Sequence, residues 1–251
     1  MTTNNLAEFL NMTLDTSAFK DVSNNGLQVD NNGTLTKVLC GVDANLKLLN
    51  KAKEIGADCL VCHHGISWGD SLKYITGLNY EIVAFAIRNN ISIYAVHLPL
   101  DAHPQYGNNA QICKTLELIE AEPAFDYHGQ TIGFTAELKQ PVSFEAFCGR
   151  INESISTSLS ALNFGCDKIH KVGVVSGGAS DMVDQAKELG LDLYITGEPS
   201  LQGYNLAEQL QQNVIFAGHY ATEIFGVRAL AALIEKELGI PTECFDFKIP
   251  F

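Results

Sequence analysis

The stretch from Asp58 to Gly69 reads D-C-L-V-C-H-H-G-I-S-W-G, an apolar run that ends abruptly in two histidines and a glycine. This is the pattern of a buried strand handing the chain to a loop. Imidazoles at the C-terminal end of a strand stand where open α/β sheets bind their ligands. Neighbours on a strand point to opposite faces, so His63 and His64 either serve two different ions or need a bend to serve one. The plain alternative is a hydrogen-bonded pair at a loop. Two more apolar strands end in the same chemistry: Ile91 to Val96 runs into His97 with Asp101 four residues on, and Val214 onward runs into His219 with Glu223 four residues on. Singly, each is an ordinary loop histidine or helix N-terminal acid. Together, His63, His64, His97, Asp101, His219 and Glu223 cluster at strand ends, which a mixed His/carboxylate metal site explains better.

The elements that must position them alternate. A first helix capped by Asn4 or Asn5 runs to about Leu14, and Asn24-Asn25-Gly26 is a turn before extended structure at Leu27–Val29. Lys37–Val42 is expected as a strand, Leu46–Ile55 as an amphipathic helix closed by Gly56, and Asp58–Cys62 as the next strand, with the two histidines in the following loop. Tyr80–Arg88 is helical, Ile91–Val96 a strand and Ala110–Leu118 a helix. Further on, Thr131–Leu138 is a strand broken at Pro141, Ser143 caps a helix over Phe144–Ile155, and Leu159–Asn163 pairs as a strand.

The chain then repeats itself. K-V-L-C-G-V-D-A-N-L-K-L-L-N-K-A-K-E-I-G-A-D-C-L-V from Lys37 lies over K-V-G-V-V-S-G-G-A-S-D-M-V-D-Q-A-K-E-L-G-L-D-L-Y-I from Lys171 without a gap. The histidine-ending strands follow at a slightly different offset. The expected architecture is α/β, with two pseudo-symmetric, interlinked domains arising from an internal duplication, residues 1–125 and 126–251. At one place the copies diverge: His63-His64 of the first stands against Gly197-Glu198 of the second.

Composition narrows the functions. With 251 residues, 46% hydrophobic and 18% charged, the chain has material for one large core or two. A formal charge of -13 without any basic run argues against nucleic-acid binding and against an anionic membrane surface. There is no apolar stretch of membrane-spanning length and no basic-then-apolar leader pattern, so a soluble, cytoplasmic protein is expected. Seven scattered cysteines fit reduced thiols. Cys59 and Cys62 spell C-x-x-C, yet on a strand they face opposite sides and no second pair completes a zinc site, so they are read as core.

N-G-L-Q-V at Asn25–Val29, H-H-G at His63–Gly65, H-L-P-L-D at His97–Asp101 with G-N-N at Gly107–Asn109, T-G-E at Thr196–Glu198 and G-H-Y-A-T-E at Gly218–Glu223 resemble, in order and over nearly the whole chain, the Nif-three-like dinuclear-metal family. Its members are commonly labelled GTP cyclohydrolase I type 2 homologs. The resemblance implies two divalent ions per chain: His64 and Asp101 would bind one, His63 and His219 the other, and Glu223 would bridge them. It also implies a homohexamer. The metal is left open among iron, manganese, zinc, cobalt and nickel.

Two divalent ions carry about four positive charges against the two negative ones of Asp101 and Glu223, so the pocket is expected to stay net positive and to attract a phosphate or a polarised purine. The expected activity is hydrolysis of a small molecule, with a nucleotide as the first candidate. Under the family label this is attack on C8 of the guanine of GTP, opening the imidazole ring with release of formate. His97 and Glu198 are the candidates for moving protons, and Tyr220 and Thr222 for touching substrate. The rival readings are a metal-dependent hydrolase of another nucleotide, phosphoester or amide, and a non-catalytic hexamer that binds metal or a partner.

Overall fold

The computed structural model describes residues 1–155 and 158–249. They form two compact units, one of residues 1–100 and 226–247, the other of residues 101–225 and 248–249. In chain order the first unit holds α1 (Thr3–Thr13), β1 (Gly26–Val29), β2 (Val38–Asp43), α2 (Leu46–Ile55), β3 (Cys59–His64), α3 (Gly77–Arg88) and β4 (Ser92–Ala95). The chain leaves it within α4 (Leu98–Ala102). The second unit holds α5 (Asn108–Thr115), β5 (Ile119–Tyr127), β6 (Gln130–Ser143), α6 (Phe144–Ser154), β7 (Ser160–Leu162), β8 (Lys168–Val174), α7 (Val183–Glu188), β9 (Leu193–Thr196), α8 (Leu201–Leu210) and β10 (Asn213–Phe216). The chain returns within α9 (His219–Leu238) to place β11 (Thr242–Cys244) in the first unit. That return is why the units do not follow a single cut between residues 125 and 126.

Each unit has one sheet. The first runs β1-β4-β3-β2-β11 and the second β5-β6-β8-β9-β10-β7. The two-domain α/β architecture expected from the sequence is therefore present. Val38 pairs with Cys59 and Cys59 with Ser92 in the first sheet; Val172 pairs with Leu193 and Leu193 with Asn213 in the second. In the first two strands of each set these are the residues that the sequence repeat equates, so that parallel pair was copied with its register intact.

The details of the turns were copied with it. Asp58 accepts the backbone N–H groups of Thr36 at 2.9 Å and Lys37 at 3.2 Å, and Asp192 accepts those of His170 at 2.9 Å and Lys171 at 2.8 Å. Ala57 N–H donates to Ala52 O and Leu191 N–H to Ala186 O, closing the equivalent helix ends.

Local chemistry explains the elements. The Asn45 side chain accepts the Leu48 N–H at the start of α2, and Gly56, at φ 71°, ends it in the left-handed conformation that glycine tolerates. Ser143 caps α6 and Ser200 caps α8 in the same way. Leu39, Leu48, Leu49, Leu60 and Ile93 are fully buried in the first core, and Phe147, Val172, Ile195 and Ile215 in the second. Each such side chain contributes on the order of 2 kcal/mol of transfer free energy.

Some boundaries differ from the expectation. β3 extends through both histidines, so the pair closes the strand rather than opening the loop. β6 continues through Pro141 because the proline sits in an irregular stretch between Glu137 and Val142, where the missing N–H breaks no ladder bond. β5 was not anticipated; its run E-A-E-P-A-F-D is mostly exposed and lacks apolar alternation. The histidine-ending strands are also out of step by one residue. The copied register carries His97 onto Gly218 and Leu98 onto His219.

Candidate functional site

In the first unit the C-terminal ends of β3 and β4 bring His63, His64 and His97 together, one ligand nitrogen from each lying within 4.8 Å of the others. The ring centroids of His63 and His64 are 4.7 Å apart, and those of His63 and His97 5.0 Å. Each ring is tied through Nδ1. His63, fully buried, bonds the Val96 carbonyl at 3.0 Å; His64 bonds Asp43 Oδ1 at 2.9 Å; His97 bonds Asp21 Oδ1 at 3.0 Å. An acceptor at Nδ1 fixes the proton there and makes Nε2 the lone-pair nitrogen, which is how metal-binding histidines are commonly oriented.

The His97 cradle is built from the N-terminal loop. Asp21, its side chain 1% exposed, also accepts the N–H groups of Ser23 and Leu98 and the amide of Asn25, whose own oxygen accepts the His97 N–H at 2.8 Å. Burial alone would raise the Asp21 pKa. The hydrogen bond and charge of His97, with the bonds from Ser23 and Asn25, outweigh burial and hold it at about 2.

The N-G-L-Q-V motif does similar service for the loop after the histidines. Gln28 Oε1 accepts the N–H groups of Ile66 at 2.7 Å and Ser67 at 3.0 Å. Gly65 is required there, since a Cβ would meet the Gln28 amide and would lie 2.5 Å from Ala95 Cβ. Trp68 donates its indole N–H to Gly65 O and sets its ring 5.0 Å from His97.

In the second unit, His219 and Glu223 sit on the first turns of α9 with His219 Nε2 3.1 Å from Glu223 Oε1, while Nδ1 bonds Glu198 Oε2 at 2.8 Å. Glu223 is 3% exposed. Thr222 accepts the Gly177 N–H at 3.0 Å and donates back to the helix start, and Tyr220 is buried. Gly177, at φ +70°, passes so close to Glu223 that no side chain fits.

Asp101 is held separately, its Oδ1 accepting Asn108 Nδ2 at 2.8 Å and Ser176 Oγ at 2.9 Å. Asn109 in turn donates to the Asp101 carbonyl and accepts the Ser176 N–H at 2.7 Å. This gives the G-N-N motif its physical reason: both asparagines are fully buried and one fixes each end of Asp101.

Beside His219 is a cavity of about 570 Å³ lined by Ser158, Ser160, Gly197, Glu198, Pro199, Phe216, Gly218 and His219. Sequence reasoning missed Asp21, Asp43, Ser176 and Gly177. The first two are lone acids far from any histidine in sequence. Ser176-Gly177-Gly178 did carry a signal, since it follows a strand in the repeat.

The chain matches over residues 1–249 the family described as Duf34/NIF3 (NGG1p interacting factor 3). It is 41% identical over 242 residues to a GTP cyclohydrolase 1 type 2 homolog of Deinococcus radiodurans, covering 96% of this chain and 92% of that one. To the protein of the same name from Archaeoglobus fulgidus it is 40% identical over 245 residues, covering 96% and 98%. The solved structure of protein ybgI, described as of unknown function, superposes with a TM-score of 0.94 at 30% identity over the whole of both chains.

Proposed function

Because the chain belongs to the Duf34/NIF3 family, we propose that it is a metal-dependent hydrolase of a small molecule. In this reading His64 and Asp101 hold one divalent ion, His63 and His219 a second, and Glu223 both. The observation that carries it is the tying of three imidazoles through Nδ1, those of His63, His64 and His97 to Val96 O, Asp43 and Asp21, which leaves each with its lone pair on Nε2, while His219 stands between two carboxylates, Glu198 at Nδ1 and Glu223 at Nε2. Structural histidines have no need of so uniform a tautomer. Bound divalent ions supply Lewis-acid polarisation and lower the pKa of water toward neutrality.

The chain's own residues do the rest. Asp43 and Glu198 orient His64 and His219. Asp21 holds His97 with its proton on Nδ1, so that Nε2 is the atom able to take a proton from water or substrate. Glu198 is thereby an orienting carboxylate in this reading rather than a proton carrier.

The names of the relatives put GTP first among substrates to test. Asp21, Asp43 and Glu198 add three carboxylates to the two counted as ligands, which removes the net positive charge expected to draw in a triphosphate. The proposal therefore stays with a small-molecule hydrolase, of which guanine ring opening is one case. The protein is further read as cytoplasmic, in keeping with seven free cysteines, and, from the family resemblance alone, as a homohexamer.

Metal analysis of the purified protein is expected to give about two ions per chain, and His63→Ala with Glu223→Ala to lose them. Turnover of GTP with formate release supports the named activity. Turnover of other nucleotides, phosphoesters or amides supports the broader one, and inertness across that panel with both ions bound overturns the hydrolase reading.

A further inference from the structure

The 570 Å³ cavity of the second unit lies at the C-terminal ends of β9 and β10, where parallel strands present their loops to ligands. Its volume falls within the range of small-molecule sites, roughly 300–1,000 Å³. Phe216 and Ser160 are paired residues on neighbouring strands, so both side chains emerge side by side on the same face of the sheet. Phe216 borders the cavity but is 3% exposed, so little of its ring faces it. Glu198 is 60% exposed at its side chain and spends Oε2 on His219; a carboxylate is acceptor-only, with further lone pairs to offer. Ser158 and Ser160 bring hydroxyls. Among the described residues that line the cavity there is no Lys or Arg.

Such a lining selects by chemistry. Among the described side chains that line it a phosphate or polyphosphate meets a carboxylate and no Lys or Arg, and like charges a few ångströms apart are repulsive even near a protein surface. A nitrogen heterocycle meets an acceptor for its N–H groups and two adaptable hydroxyls. We propose that this cavity binds an uncharged, nitrogen-bearing ring through its N–H edge, and that it recognises the ring and not any phosphate attached to it. The proposal builds on the reading that His219 belongs to a reaction centre, since that places the ring beside the chemistry.

Calorimetric titration tests it, with guanosine, adenosine, cytidine, uridine, their triphosphates and inorganic triphosphate as probes. Metal-loaded and chelator-treated protein are titrated alike, and ion content is measured in the same samples. At least one nucleoside is expected to bind, its triphosphate to bind no more tightly than the nucleoside in chelator-treated protein, and inorganic triphosphate not to compete. Ser160→Trp, at an exposed edge-strand position, fills the cavity and is expected to weaken binding by about tenfold or more with ion content unchanged.

Triphosphate binding that exceeds nucleoside binding in chelated protein overturns the proposal, as does undiminished nucleoside binding in Ser160→Trp. Ring binding by a protein that takes up no ions even in the metal-loaded samples sinks the metal reading and leaves this one standing. Bound ions with no nucleoside binding do the reverse.

Discussion

The tautomer of an imidazole is set by what its other nitrogen touches, and the candidate site depends on that at every histidine. Asp43 is the acceptor for His64. Its replacement by Asn is expected to lower metal affinity about 10–100-fold, the usual effect of removing an outer carboxylate, read by competition with a chromogenic chelator; unchanged affinity would separate Asp43 from the metal. Asp21 carries a stability consequence as well. Its folded pKa, about 2, lies below the ordinary 3.8, so its contribution is fully present above about pH 4 and is lost as pH falls toward 2. The shift corresponds to roughly 2 kcal/mol. Asp21→Asn is expected to flatten the acid limb of the stability curve over that window, measured by urea unfolding at a series of pH values. In the same variant the nitrogen-15 shifts of the His97 ring should move toward a mixed tautomer. At this scale the sequence revealed the histidines but not their partners, because Asp21 and Asp43 reach them across 76 and 21 residues of chain.

Between the two sheets of the protein the same parallel core recurs, and with it the same backbone clamp by Asp58 and Asp192. Asp58→Ala and Asp192→Ala each leave backbone donors at the start of β2 or β8 without their carboxylate, at a cost of about 1–3 kcal/mol. Amide exchange should therefore accelerate at Thr36 and Lys37 in the first variant and at His170 and Lys171 in the second, each without effect on the other pair. Equal acceleration of both pairs in either variant would contradict independent clamps. The duplication was legible because the apolar positions and A-K-E, Gly and Asp coincide without a gap; helix α2 was legible because its amphipathic run is closed by Gly56, while its cap, Asn45, emerged only from the structure. What could not be read was register. One residue of slip between the histidine-ending strands decides whether His97 or Leu98 is the counterpart of His219, and only the ladder pairings give the answer. β5 escaped because exposed, acid-rich strands carry no periodic signal.

Across the whole chain, seven cysteines pose one question that bears on the metal: whether C-x-x-C at Cys59 and Cys62 is a binding motif or packing. Both are fully buried on β3, and burial pushes the Cys59 thiol up to about 12 and Cys62 well above its usual value. Cys40 and Cys113 are raised for the same reason. A thiol in that state offers no nucleophile to a reagent. Cys166, exposed, is held back by partial desolvation and by Asp192, so even it should react sluggishly. Thiol titration at pH 8 is thus expected to leave Cys40, Cys59, Cys62 and Cys113 unmodified in the native protein, and all seven should react once urea unfolds it. The decisive variant is Cys59→Ala with Cys62→Ala. As core residues they should cost about 1–3 kcal/mol of stability and no bound metal; loss of an ion in a variant that still folds would transfer the metal from the histidines of the strand ends to the thiols within the strand.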